Sequence, residues 1–137
     1  MVKVKKAVAA LAVVAGMLGG TVAVATPASA ASGNGVIESG EFVLWLHSNY
    51  SGPLRDEYGS VGNYAGYYFI NSTMPLNDEA SSIANYDSSY SLRTYYHANY
   101  TYPYISVLPY GQASGGSSWA YYSLGSFNDE LSSHLWF

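Results

Sequence analysis

The chain has 137 residues, a formal net charge of −4, 15 tyrosines and no cysteine. The absence of cysteine excludes a disulfide framework, and the few basic residues argue against binding to the phosphate backbone of nucleic acids. Tyrosine and glycine are abundant whereas lysine, glutamate and glutamine are scarce, which is typical of an all-β protein with many turns.

Residues 1–30 have the pattern of a secretory signal peptide. Three lysines at positions 3, 5 and 6 precede an apolar run over 7–25, and Ala28-Ser29-Ala30 is a small-residue cleavage site. We predict cleavage after Ala30 and a secreted, extracellular protein. An uncleaved membrane anchor is the alternative, because the apolar run is long for a signal peptide.

The predicted mature chain spans residues 31–137. It keeps two arginines against nine carboxylates, a net charge of −7 (2 − 9). Such a charge argues against nucleic acid and against anionic membrane surfaces as partners. Residues 31–40 are small and polar and are predicted as a flexible lead-in, followed by one domain over 41–137.

Eight short strands are predicted from the apolar and aromatic runs that lie between turn signals. No part of the predicted mature chain has the 3.6-residue apolar period of an amphipathic helix. The predicted strands are 41–47, 54–58, 64–70 and 82–86 before the polar linker 87–91, and 92–97, 104–108, 119–124 and 134–137 after it.

The second group of strands repeats the first. Residues 47–53 (HSNYSGP) match residues 97–103 (HANYTYP) at an offset of 50, with His, Asn, Tyr and Pro at equivalent positions. Residues 77–82 (NDEASS) return as residues 128–133 (NDELSS) at an offset of 51. Two copies are too few for a solenoid, so the repeat predicts two similar Greek-key motifs, at about 41–87 and 92–137, around one core.

Each six-residue repeat combines oxygen ligands of the kinds that calcium prefers, namely carboxylate, carbonyl and hydroxyl oxygens within one loop. The alternative is a pair of capped turns without metal, because Asn, Asp and Ser side chains often cap turns. The chain contains no H-E-x-x-H and no G-x-S-x-G motif. We therefore predict a protein that is not an enzyme.

These features resemble the βγ-crystallin fold. Its hairpin pattern, aromatic-x4-aromatic-x-Gly, is matched by Trp45, Tyr50 and Gly52, and its calcium loop, [ND]-[ND]-x-x-[ST]-Ser, is matched twice. The chain is also similar to secreted bacterial peptidase inhibitors of family I36, through residues 44–45, 49–52, 80–85 and 108–111. The resemblance covers about residues 41–137 and implies an all-β, βγ-crystallin-like sandwich of two Greek-key motifs.

The resemblance also implies which residues bind calcium, through two loops that each contribute ligands to both ions. Backbone carbonyls near Leu46 and Tyr96, with water, would complete the coordination. The implied ligands are the side chains of Asp78 and Asp129, the backbone carbonyls of Glu79 and Glu130, and the hydroxyls of Ser81 and Ser132. Asn77 and Asn128 would hydrogen-bond the neighbouring hairpin and shape the loops.

Two features depart from the family pattern. Tyr102 stands where the second hairpin would have a glycine with positive φ, which costs a bulky residue about 1 kcal/mol or more. We therefore expect a distorted second hairpin. Inhibitors of family I36 typically rely on disulfides, and this chain has no cysteine.

The resulting hypothesis is a secreted, monomeric, non-enzymatic module that binds calcium and a protein partner, such as a secreted metallopeptidase that it inhibits. The alternatives are a carbohydrate or cell-wall binding module, a small toxin of the killer-protein type, and a purely structural protein stabilised by calcium. Exposed, coplanar tyrosines would favour sugar binding, and a protruding hairpin would favour inhibition.

Overall fold

A computed structural model describes residues 30–137, so residues 1–29 of the predicted signal peptide lie outside the described part of the chain. The described chain is all-β, as predicted, and none of its helical turns is long and apolar enough to cross a membrane. A short 3-10 turn spans Gly125–Phe127. The strands are β1 (Phe42–His47), β2 (Ser51–Glu57), β3 (Ser82–Asn85), β4 (Leu92–His97), β5 (Thr101–Val107), β6 (Ala113–Ser114), β7 (Ser117–Ser118), β8 (Ala120–Tyr121) and β9 (Ser133–Trp136).

The two halves of the chain exchange one segment each. The first sheet has the order β2-β1-β3-β8, and the second has the order β6-β7-β5-β4-β9. β8 belongs to the second half but pairs with β3 of the first, where Ile83 faces Tyr121. In return, Val61 of the first half forms an isolated antiparallel bridge with His134 of β9. Each half therefore completes the sheet of the other.

The strand predicted over 64–70 is wrong. In the structure this segment is irregular, with an isolated bridge between Tyr68 and Pro75, and the side chains of Tyr64 and Phe69 fill the core. Gly66 and Asn71 have positive φ, which interrupts an extended backbone. The aromatic composition thus reflects burial of side chains and not strand pairing.

Other predicted strands are present with different ends. β2 and β5 begin three residues earlier than predicted, at Ser51 and Thr101, directly after their hairpin turns. The strand predicted over 119–124 is limited to β8, because the chain leaves the sheet on both sides of it to cover the outer face and to form the 3-10 turn.

The β1–β2 and β4–β5 hairpins have equivalent registers. Each ladder has its irregularity at the matching place, between Trp45 and His47 and between Tyr95 and His97. The distortion that we expected from Tyr102 is therefore absent from the strand register. Its physical cause is also absent, because Tyr102 does not have a positive φ.

The main hydrophobic core lies between the two sheets, with inward-facing residues of both. Irregular segments close it with Tyr64, Phe69 and Leu76, all at most 1% exposed. Strand residues of this core include Phe42, Leu44, Ile83, Leu92, Val107 and Trp136. A second, smaller cluster lies on the outer face of the first sheet, where Val43, Trp45 and Ala84 are covered by Leu54, Tyr86 and Trp119.

His134 of β9 is fully buried within the core. Its Nδ1 lies 2.8 Å from the hydroxyl of Tyr64, and its Nε2 lies 2.7 Å from the carbonyl oxygen of Gly59. Because a carbonyl only accepts, Nε2 carries the proton and Nδ1 accepts from the tyrosine. Burial lowers the pKa of His134 from 6.5 to about 4. Its contribution to stability is therefore present above pH 6.5 and is lost as the pH falls toward 4.

Residues 31–40, predicted as a flexible lead-in, are hydrogen-bonded to the first sheet, and we call them the N-terminal strap. The buried carboxylate of Asp56 accepts from the backbone N–H groups of Asn34 at 3.1 Å and Gly35 at 2.8 Å. The buried carboxylate of Glu41 accepts from the N–H of Glu38 at 2.7 Å. Two buried acids thus accept hydrogen bonds from three backbone N–H groups of the strap.

The carboxyl group of Glu41 is only partly satisfied, since its Oε1 has no hydrogen-bond partner among residues 30–137. Burial, together with the nearby charges of Asp56, Glu38 and Glu57, raises the pKa of Glu41 from 4.5 to about 7. Folding therefore favours the protonated form. The contribution of Glu41 to stability is fully present below pH 4.5 and is lost as the pH rises through 7.

Replacing Gly52 with alanine should destabilise the fold by about 2 kcal/mol. Gly52 has φ +78°, and an added Cβ would collide with the His47 ring. The free energy of unfolding is measured by urea titration. The matched control is Gly59→Ala, because Gly59 lacks a positive φ and no atom lies within 4 Å of an added Cβ. Equal stabilities of the two variants would contradict the strain at Gly52.

Replacing Glu41 with glutamine should make the free energy of unfolding less dependent on pH between 4.5 and about 7. Glutamine imitates the protonated acid, so the variant should match the parent near pH 4.5 and become the more stable protein as the pH rises through 7. Urea unfolding of both proteins at several pH values gives the difference. A difference that does not change with pH would show that Glu41 titrates in its ordinary range.

Candidate metal centre

The two repeated loops, residues 77–82 and 128–133, lie side by side, and we call them the paired loops. The backbone N–H of Asp78 donates to the carbonyl of Leu131 at 3.0 Å, and the N–H of Asp129 donates to the carbonyl of Ala80 at 3.1 Å. Asp78 and Asp129 both have φ +58°. Because each loop donates an equivalent backbone hydrogen bond to the other, an approximate two-fold axis relates the two loops.

Side chains also cross from one loop to the other. The Ser132 hydroxyl donates to Asp78 Oδ1 at 2.8 Å, and the Ser81 hydroxyl lies 3.4 Å from Asp129 Oδ1. The two serines are 8% exposed or less, whereas both aspartates are exposed. Each predicted ligand pair thus consists of an aspartate from one loop and a serine from the other, at the protein surface.

Backbone oxygens are also available beside these pairs. Among residues 30–137, no backbone N–H donates to the carbonyl oxygen of Glu79 or of Glu130. Leu46 and Tyr96 lie at the two ladder irregularities of the hairpins, next to the residues that bind the loops. The carbonyls implied by the resemblance therefore belong to segments outside the regular hydrogen-bond ladders.

Two fully buried serines fix the loops to the hairpins. The Ser82 hydroxyl donates to the carbonyl of His47 at 2.7 Å and accepts from the N–H of Tyr50 at 3.0 Å. In the second hairpin, the Ser133 hydroxyl donates to the carbonyl of His97 at 2.7 Å and accepts from the N–H of Tyr100 at 3.2 Å. Sequence reasoning missed this role, although the serine at the last position of both repeats was the available signal.

The asparagines at the start of the loops make different contacts from those implied by the resemblance. Asn77 Nδ2 donates to the carboxylate of Asp78 at 2.8 Å, within its own loop. The backbone N–H of Asn128 donates to the carbonyl of Gly125 and closes the 3-10 turn. In this structure the hairpin contact predicted for the asparagines is made by Ser82 and Ser133 instead.

The donor set fits a hard cation such as calcium. Its oxygens are carboxylate, hydroxyl and carbonyl oxygens, and calcium binds such ligands at about 2.3–2.6 Å. In both pairs a serine hydroxyl and an aspartate oxygen lie close together, at 3.4 Å for Ser81 and Asp129 and at 2.8 Å for Ser132 and Asp78. Across residues 30–137, no three His, Cys, Asp or Glu side chains form a group that could hold a metal ion, so a site here depends on neutral oxygens.

The paired loops are also electrostatically suited to a cation. They contain Asp78, Glu79, Asp129 and Glu130 but no lysine or arginine. A hydrogen bond to Glu130 raises the pKa of the adjacent phenol of Tyr96, and desolvation and the charges of Glu130 and Asp78 raise it further. A cation between the loops would offset this accumulated negative charge.

Aromatic side chains at the surface bear on the alternative of sugar binding. The rings of Tyr102 and Tyr104 on β5 are nearly perpendicular, at 86°, and do not form a flat platform. Tyr86 and Tyr110 are stacked at 25° and line a shallow cleft of about 280 Å³ together with Glu38. The near-parallel ring arrangement is therefore found at the cleft and not on β5.

The fold was compared with known proteins. No protein-family model and no curated protein matches the chain. A solved structure from work on the evolution of the eye-lens βγ-crystallin domain fold has 21% sequence identity and a TM-score of 0.58, covering 75% of this chain and 93% of that one.

Other solved structures give the same result. A βγ-crystallin from Ciona intestinalis has 22% identity and a TM-score of 0.52, covering 70% of this chain and 98% of that one. An archaeal βγ-crystallin has 23% identity and a TM-score of 0.51, covering 73% of this chain and 100% of that one. These likenesses support the fold and do not support family I36 specifically. The chain has the fold of a βγ-crystallin domain, a sandwich of two Greek-key motifs.

Proposed function

We propose that this protein is a secreted, non-enzymatic, calcium-stabilised module that binds another extracellular protein. The calcium part is carried by one observation, the reciprocal pairing of Asp78 with Ser132 and of Asp129 with Ser81. Each pair contains only one carboxylate, so the affinity should be modest, with dissociation constants on the order of micromolar to millimolar. Such affinities suit the high calcium concentration outside cells.

When bound, calcium would supply positive charge between two acidic loops and connect the two Greek keys. The aspartates would contribute anionic ligands, the serines hydroxyl ligands, and Glu79 and Glu130 their carbonyl oxygens. The unfolded chain has no preformed site, so bound metal would stabilise the folded state by mass action.

The protein-binding part rests on the outer face of the second sheet. In the first sheet, Val43, Trp45 and Leu54 are covered by aromatic residues from the loops. The positions equivalent by the 50-residue repeat are Arg93, Tyr95 and Tyr104. There Tyr95 is buried and Arg93 is half-buried, whereas Tyr104 is 37% exposed and the neighbouring Tyr102 and Phe137 are 75% and 49% exposed.

Arg93 lies half-buried between two aromatic rings of this face. Its guanidinium is 4.7 Å from the centre of the Tyr104 ring and 4.9 Å from that of the Phe137 ring. The Nε of Arg93 is buried beneath these rings and has no hydrogen-bond partner among the described residues. Tyrosine and arginine are enriched where proteins bind one another, because they combine large contact area with polar groups. The face therefore favours a protein partner, with a secreted metallopeptidase as the first to test.

Calcium at 5 mM should raise the Tm by roughly 5–10 °C relative to EGTA, whereas magnesium should not. Combining Asp129→Asn with Ser81→Ala should remove about half of the shift, and adding Asp78→Asn with Ser132→Ala should abolish it. Glu38→Gln, which removes a carboxylate outside the loops, is the matched control. No calcium-dependent shift in the parent protein would mean that the loops are only capped turns.

Inhibition is measured by titrating the protein against a panel of secreted metallopeptidases with a peptide substrate. A peptidase that is inhibited should be inhibited at least tenfold more weakly by the Tyr102→Ala, Tyr104→Ala double variant. Tyr68→Ala is the control, since Tyr68 is 51% exposed but lies in the irregular segment. Absence of inhibition at tens of micromolar across the panel would contradict the inhibitor function.

A further inference from the structure

The first residue of the predicted mature chain contacts a carboxylate of the N-terminal strap. The backbone nitrogen of Ala31 donates to Glu38 Oε2 at 3.0 Å, and Asn34 Nδ2 donates to the same oxygen at 3.2 Å. In the uncleaved chain this nitrogen is an uncharged amide with one hydrogen. Cleavage after Ala30 would turn the same nitrogen into a primary amine, protonated at neutral pH.

The surroundings of this nitrogen are strongly acidic. Burial and the charges of Asp56, Glu38 and Glu57 raise the pKa of Glu41. Glu41 and the strap residue Glu38 therefore lie among several negative charges. Arg55 of β2 is already paired with Glu57 at 2.6 Å. The second arginine of the described chain, Arg93, lies on the other sheet between two rings. Negative charge around the strap is therefore incompletely compensated.

The strap is shaped so that residue 31 returns to residue 38. The N–H of Tyr58 donates to the Ser32 hydroxyl at 2.7 Å, and the N–H of Gly33 donates to the carbonyl of Asp56 at 2.8 Å. Gly33 has φ +72° and Gly35 has φ +78°, which permits the tight turn between these anchors. The position of the Ala31 nitrogen is thus set by the contacts of the two residues that follow it.

We propose that Glu38, supported by Asn34, is the binding site for the α-ammonium group of the mature chain, which is created by cleavage after Ala30. Hydrolysis of the Ala30–Ala31 peptide bond consumes one water and leaves a carboxylate on Ala30 and an ammonium on Ala31. This inference rests on the secretion part of the proposed function. Its chemistry is a charge-assisted hydrogen bond in place of a neutral one.

The consequence is that the strap binds the domain more tightly after processing than before it. The ammonium adds a positive charge and two further hydrogens next to a cluster of carboxylates. The uncleaved amide supplies neither. Processing would therefore complete the fold of the N-terminal strap at the step in which the leader is removed.

The test compares chains with different N-termini. All strands and both hydrophobic clusters of the described chain lie within residues 41–137, so a chain that starts at Ala31 contains the whole described fold. Three proteins are prepared: residues 31–137 with a free amine, the same chain acetylated at its N-terminus, and residues 29–137. Each is also made with Glu38→Gln and, as a charge-matched control outside the strap and the paired loops, with Ser114→Arg, since Ser114 is exposed on β6.

The free-amine chain should melt about 2–4 °C higher than the acetylated and extended chains in EGTA. This difference should disappear with Glu38→Gln and persist with Ser114→Arg. The chain 31–137 contains no lysine, so its α-amine is the sole primary amine and its pKa can be read from the pH dependence of acylation. That pKa should lie roughly half a unit to one unit above its ordinary value, and Glu38→Gln should lower it.

Equal melting temperatures of the three N-terminal forms, or a difference that survives Glu38→Gln, would overturn the proposal. An α-amine pKa unaffected by Glu38→Gln would overturn it as well. Cleavage itself is tested separately, by mass spectrometry of the N-terminus after expression with the leader in a secreting bacterium. A different cleavage site would refute the processing step while the melting series still reports on the Glu38 contact.

Discussion

The paired loops depend on the hydroxyl groups of Ser82 and Ser133. Each hydroxyl donates to one backbone carbonyl of a hairpin and accepts from one backbone N–H of the same hairpin, so its donor and acceptor functions are both met without water. This fixes the direction of the preceding residue, Ser81 or Ser132, whose hydroxyl then points to the aspartate of the other loop. The hairpins, the loops and the candidate cation ligands are therefore one hydrogen-bonded unit.

The parts of this unit that were predictable from the sequence are those that repeat. The hairpins at His47 and His97 and the loops at Asp78 and Asp129 recur at nearly constant spacing, which indicated two equivalent motifs. The six candidate ligands were implied by the resemblance of the loops to the βγ-crystallin calcium loop. The irregular segment 64–70 has no equivalent in the second half, and its aromatic composition is compatible with either a strand or a core-filling loop. Only the tertiary structure distinguishes the two, because both bury the same side chains.

The N-terminal strap was not predictable for a different reason. Its own residues are small and polar, which is typical of a mobile end, whereas the groups that bind it are acids within the strands. Nothing in the sequence around Asp56 or Glu41 indicates that these acids are buried. A buried carboxylate that accepts backbone N–H groups is a long-range contact, since Asp56 is 21 and 22 residues from its donors. Composition alone carries no signal for it.

The exchange of segments between the halves limits how such a protein can arise and be divided. A half-chain that ends before Asp87 would have β3 as an open sheet edge, with no strand to take the place of β8. Open edges favour pairing with further copies. Two identical halves, however, would each supply the segment that the other lacks. A symmetric homodimer of a single Greek key is thus a physically reasonable ancestor, and gene fusion would convert its two-fold axis into the approximate axis between the paired loops.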